Sequence, residues 1–156
     1  MKKTTVVVSF TLGGKDFDVD HVTQMLETQP TYCRTKNEVL GNGRLFGYTK
    51  WGTLTQREES TDVEIQVNKA IAPFLDKASL LNQLRLECEA EWQLTIVVYV
   101  EEDEPPFMGF TREQMRFLGS IEAEVDFDFY IMSDRRFIEK EMEMERIVNS
   151  NPENHR

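Results

Sequence analysis

Histidine and cysteine are scarce in this chain of 156 residues, which has two of each. Cys33 and Cys88 are too few and too far apart for a disulfide framework or a zinc site, and His21 stands alone in the folded part. We therefore expect free thiols in a reducing cytoplasm, no metal site and no catalytic residue that a motif identifies. Active sites built only from carboxylates leave little trace in one sequence, so an enzyme of that kind stays an alternative.

Long apolar runs are also missing, since none approaches the roughly 20 residues that cross a bilayer. The basic start runs into residues 13–14, a glycine pair, without the cleavage site of a signal peptide. Residues 41–43 (Gly-Asn-Gly) lack the third glycine of a dinucleotide loop, because Phe46 occupies that place, and they indicate a hairpin turn. These absences predict a cytoplasmic protein with no membrane contact and no cofactor.

Basic residues are few in one segment. The chain has 28 acidic and 18 basic residues. Residues 87–128 hold 12 acidic residues and only two basic ones. The negative electrostatic potential of this segment repels nucleic acid and anionic membranes and attracts basic proteins. We therefore predict a basic protein partner and no nucleic acid partner, with a surface that only aids solubility as the alternative.

What is present indicates an α+β domain. Four strands are indicated. Apolar residues alternate over 5–12, strand formers occupy 45–54 after the turn, apolar residues fill most of 94–100, and they alternate with Asp126 and Asp128 over 125–131. Helical spacing and capping residues lie between them. We predict a mainly antiparallel sheet with helices on one face. Strand–helix units at 6–26 and 96–118 echo each other and favour a ferredoxin-like fold of duplicated βαβ halves.

The chain divides into three predicted parts. Residues 1–132 form a single α+β domain, 133–149 form a C-terminal helix, and 150–156 form a polar tail. The apolar stripe of that helix is too broad for a coiled-coil seam. It packs on the domain or on a partner, and a homodimer through this helix is one form of the second alternative.

Four short landmarks occur in a characteristic order. They are Val22-Thr23-x-x-Leu26 followed by Pro30-Thr31, then Tyr48-x-x-Trp51-x-x-x-Thr55, then Leu94-x-Ile96-x-Val98-Tyr99, and last residues 125–130 (VDFDFY). In these, residues 5–132 resemble a bacterial family of domains of unknown function, number 4279. The chain departs from that family at Glu27, where the resemblance implies glycine after the first helix. It implies no catalytic or binding residue.

The loop after the most apolar strand is the first candidate site. Its carboxylates are Glu101, Glu102, Asp103 and Glu104. Phe107, Met108 and Phe110 follow a proline pair and place apolar anchors beside an acidic rim, as protein interfaces do. These seven residues are the predicted partner-binding set, and the alternative is that the three apolar side chains fold inward.

Asp126, Asp128 and Tyr130 form the second candidate, because alternation places them on one strand face. Two carboxylates at that spacing can bind a cation or share a proton. The alternative is an edge strand whose charges oppose aggregation.

These patterns favour a non-enzymatic binding or regulatory domain. One alternative is an immunity-type inhibitor that covers a basic toxin or nuclease with the acidic segment. The other is an enzyme with a carboxylate-only site.

Overall fold

The computed structural model describes residues 2–133 and 135–149, and the side chains of these except 135–138, 148 and 149. The predicted polar tail at 150–156 lies outside the described residues. Within them the chain forms six strands and five helices. In order these are β1 (Thr5–Gly14), α1 (Val19–Leu26), β2 (Tyr32–Arg34), β3 (Thr49–Leu54), β4 (Glu58–Glu59), α2 (Val63–Ile71), α3 (Ala78–Glu87), β5 (Ala90–Val100), α4 (Arg112–Ser120), β6 (Glu124–Ile131) and α5 (Arg135–Asn149).

The strands form one sheet in the order β2-β3-β1-β5-β6, and β4 pairs with the first residues of β1. Every pairing is antiparallel except that of β5 with β6. The predicted α+β class with a mainly antiparallel sheet is therefore confirmed. The sequence pattern does not predict β2 or β4, because strands of three and two residues are too short to show an alternation.

The ferredoxin-like duplication is not confirmed. Two strand–helix–strand units exist, β1–α1–β2 and β5–α4–β6, and they suggested the symmetry. In the second unit the two strands are neighbours, whereas β3 lies between β1 and β2 in the first. The chain segment between the units supplies β3, so the two halves of the sheet differ.

The core lies on one face of the sheet. Its centre is formed by alternate residues of β1 and β5, all fully buried: Val6, Val8, Phe10, Leu12, Trp92, Leu94, Ile96 and Val98. Helices α1 to α4 add buried side chains to the same cluster and therefore cover this face. Trp51 of β3 is fully buried and donates its indole N–H to Thr23 Oγ1 at 3.0 Å, so it ties β3 to α1.

The opposite face is only partly covered. Val7, Thr95 and Val97 point to it and are half-buried. Helix α5 lies at its corner, where Lys140 and Met144 line a cleft with Tyr99 and Tyr130. The described side chains of α5, at 139–147, are all exposed.

Three helices are followed by glutamate in the left-handed conformation. Glu27, Glu89 and Glu122 have φ values of 51°, 49° and 53°. Glycine adopts this conformation without strain and is the usual residue at such helix ends. The family resemblance implies glycine at position 27, and the backbone of Glu27 has the left-handed conformation that favours glycine.

Among the described residues, no helix combines the length and the apolar character needed to cross a membrane.

Candidate partner-binding edge

Strand β6 ends the sheet, and its outer side is paired with no other strand of the described residues. On the inner side, Val100 pairs with Ile131, and the Met132 N–H donates to the Val100 carbonyl at 3.0 Å. In a parallel ladder this arrangement turns the backbone groups of Met132 and of every second residue before it toward β5. The N–H and C=O groups of Phe127, Phe129 and Ile131 therefore point outward. We call this side of β6 the β6 edge.

An apolar strip runs along the β6 edge on the helix-covered face. Phe127, Phe129 and Ile131 form it, and they are 41%, 51% and 55% exposed. The Phe127 ring lies 6.1 Å from that of Phe129 and 6.1 Å from that of Phe110, which packs on the core. Burial therefore reaches only as far as Val125, which packs on the core. Alternation of apolar and charged residues in β6 predicts one covered and one exposed face, but both faces of its outer part are exposed.

The predicted polar cluster lies on the other face of β6. Asp126 and Asp128 are exposed, and Asp126 accepts a hydrogen bond from the Gln93 side-chain amide. The Tyr130 ring is stacked on that of Tyr99, with centroids 5.3 Å apart. In the part of the chain that the structure describes, no group of histidine, cysteine and carboxylate side chains is arranged to hold a metal ion. Charge is thus presented on the face opposite the apolar strip.

The acidic loop at 101–104 is held at its root by Thr4, the residue before β1. The hydroxyl of the buried Thr4 donates to the Glu104 carbonyl at 2.6 Å and accepts from the Glu101 N–H at 3.0 Å. The Thr4 N–H donates to the Glu104 carboxylate at 3.2 Å. Glu102 and Asp103 are exposed, while Glu101 and Glu104 are half-buried. Two of the four carboxylates therefore face solvent at the tip, and Glu104 is part of the loop's structure.

The three predicted apolar anchors separate. Phe107 is 61% exposed, and its backbone N–H donates to the Thr61 carbonyl while its carbonyl accepts from the N–H of Val63, the first residue of α2. Met108 is 37% exposed, whereas Phe110 turns inward and contacts Phe127. The structure joins Phe110 to the apolar strip and places the backbone of Phe107 beside the start of α2.

His21 is partnered by a carboxylate, and the surroundings of Cys33 disfavour its thiolate. His21 Nε2 lies 3.2 Å from the Glu87 carboxylate, and the two side chains form a hydrogen bond. Loss of hydration, with Asp20 and Glu38 nearby, raises the pKa of the Cys33 thiol. A raised pKa disfavours the thiolate that nucleophilic catalysis requires.

The stretch from β1 through β6 is what the chain shares with other proteins. Residues 2–132 match the family described as domain of unknown function DUF4279. The chain belongs to this family. Helix α5 lies beyond the match, and the bacterial origin stays a prediction. No curated protein and no solved structure matches the chain. The function therefore has to be argued from the β6 edge itself.

Proposed function

We propose that this DUF4279 domain is a non-enzymatic binding module that docks a basic protein on the β6 edge. One observation supports it most. The eight residues of β6 combine outward-facing backbone groups, an exposed apolar strip and a carboxylate face. Each is a known ingredient of protein interfaces, and here they share one strand.

The apolar strip supplies a driving force for docking. Removing a large apolar side chain from water stabilises a complex by about 1.5–3 kcal/mol when burial is complete. Phe127, Phe129 and Ile131 are about half exposed, so each retains part of that free energy for a partner. Phe110 supports Phe127 from behind and limits the side-chain entropy lost on docking.

The carboxylates select the sign of the partner's charge. Asp126 and Asp128 lie on the face of β6 opposite the strip, and Glu102 and Asp103 are exposed in the loop that follows β5. These carboxylates repel an acidic surface, whereas they attract a basic surface over several ångströms and speed its association. The expected complex forms quickly at low salt and more slowly as salt is added.

The test compares three forms of the chain as bait in an extract of the native host. They are the wild type, the site variant Phe129→Ala/Asp126→Asn/Asp128→Asn, and a control with Leu86→Ala/Asp16→Asn/Asp76→Asn. The control removes the same chemistry from exposed positions outside β6. We expect a protein with pI above about 9 that the wild type and the control retain and the site variant loses.

Binding is then measured with that protein in purified form at two salt concentrations. A protein that all three baits retain equally, or a retained protein that is acidic, contradicts the proposal.

A second candidate within this class is inhibition of a basic toxin or nuclease. It is favoured by carboxylates that repeat along an exposed strand, since nuclease surfaces bind repeating negative charge. The purified partner should then lose nuclease activity when the wild type is added and keep it with the site variant. The carboxylate-only enzyme is disfavoured by the exposure of Asp126 and Asp128, which denies either carboxyl the dehydrated setting of a general acid.

A further inference from the structure

We infer that the partner contributes an extended segment that adds to the sheet beside β6, with apolar and Lys or Arg residues in alternation. This rests on the proposed function and names its mode and ligand chemistry. Strand addition is a recurrent way of binding peptides at an open sheet edge, where the main chain gives affinity and alternate side chains give specificity.

The backbone of β6 is ready for such a strand. The outward groups belong to Phe127, Phe129 and Ile131, and the groups of the residues between them are turned to β5. A new strand therefore bonds to groups that the sheet does not use. No rearrangement of the domain is needed.

The side chains of β6 then fix the pattern of the added strand. In a sheet, side chains directly opposite each other lie on the same face, about 4.5–5.5 Å apart. Residues opposite Phe127 and Phe129 must be apolar to cover the strip. Residues opposite Asp126 and Asp128 lie on the other face, where Lys or Arg pairs with the carboxylates.

A second copy of this chain fits the β6 edge poorly. In the antiparallel registers with the largest overlap, Asp126 lies opposite Asp128 of the copy or Asp128 lies opposite itself, and such like-charge neighbours are destabilising. The opposite edge, β2 (Tyr32–Arg34), spans three residues against the eight of β6. A foreign basic segment is therefore the occupant that we expect.

The test uses acetylated, fluorescent peptides of eight residues, the length of β6, in which isoleucine and lysine alternate. One peptide is N-methylated on its isoleucines, one on its lysines, and one has the same composition in two blocks. In antiparallel addition the isoleucine amides face β6, and in parallel addition the lysine amides do. Fluorescence anisotropy should show that one of the two methylated peptides binds about tenfold or more weakly, while the other binds like the parent.

The protein variants locate the site. Phe129→Ala and Asp126→Asn/Asp128→Asn should each raise the Kd of the parent peptide. The peptide with isoleucines and lysines in two separate blocks should bind weakly to every form of the protein. Leu86→Ala and Asp16→Asn/Asp76→Asn should leave that Kd unchanged.

Failure of this inference differs from failure of the proposed function. If a basic partner is captured at the β6 edge but both methylated peptides bind like the parent, or both are weakened equally, strand addition is wrong and the docking proposal stands. If neither a basic protein nor any peptide responds to the β6 variants, both are wrong. A wild type that self-associates through Phe129 in sedimentation makes a second copy the occupant and overturns the inference.

Discussion

At the scale of single residues, Thr4 controls the acidic loop. Its hydroxyl bonds to Glu101 and Glu104, about a hundred residues away in sequence. Thr4→Val keeps the shape of the side chain but leaves the carbonyl of the half-buried Glu104 and the N–H of the half-buried Glu101 without that partner. We expect the free energy of unfolding to fall by about 1–3 kcal/mol in chemical denaturation.

Thr95→Val is the matched control, because Thr95 is a half-buried threonine on the open face of β5. It should change stability by no more than about 0.5 kcal/mol. Equal losses in the two variants would show that the hydroxyl of Thr4 has no special role in the loop.

At the scale of elements, the C-terminal ends of two helices carry residues whose replacement should stabilise the fold. Glu27 and Glu89 are exposed and left-handed, and this conformation costs a residue with a Cβ about 1 kcal/mol relative to glycine. A carboxylate near a helix C-terminus also opposes the helix dipole. Glu27→Gly and Glu89→Gly should each raise the free energy of unfolding by about 0.5–1 kcal/mol.

Glu113→Gly in the first turn of α4 is the control with the opposite sign. Its backbone is helical, so glycine there should lower stability by about the same amount. Glu122 is unsuited to the comparison, since its carboxylate pairs with Arg85 at 2.8 Å. A fall in stability for Glu27→Gly would refute the strain argument.

The elements also show where sequence reasoning succeeds. Alternation over β1 predicts Val6, Val8, Phe10 and Leu12 as core, and all four are fully buried. The same alternation in β6 predicts a covered face, yet Phe129 is half exposed. Period-two spacing fixes which side chains share a face. How far the helices extend over that face depends on packing between distant segments, which the pattern does not carry.

The candidate site divides in the same way. The carboxylates of the acidic loop are visible in sequence, whereas the bonds of Thr4 to Glu101 and Glu104 join the two ends of the domain. The position of β6 at the edge also follows only from the sheet order. Its free backbone groups are therefore a finding of the structure.

At the scale of the whole molecule, we expect α5 to be an addition to a domain that ends with β6. Its described side chains are exposed, and the family match stops at residue 132. A chain cut after Met132 should fold cooperatively and lose no more than about 1 kcal/mol of the free energy of unfolding. Denaturation followed by circular dichroism measures this. A truncated chain with no cooperative transition would show that α5 belongs to the domain, against the predicted boundary.

The two buried tryptophans have a spectroscopic consequence. Trp51 and Trp92 lie perpendicular to each other with ring centroids 6.2 Å apart, and neither is exposed to solvent. Their emission reports the integrity of the core and should stay constant while a strand docks on β6. Red-shifted emission accompanies only unfolding. Tryptophan fluorescence thus follows folding alone, and docking is read from tyrosine, since the Tyr99–Tyr130 stack joins β5 to β6.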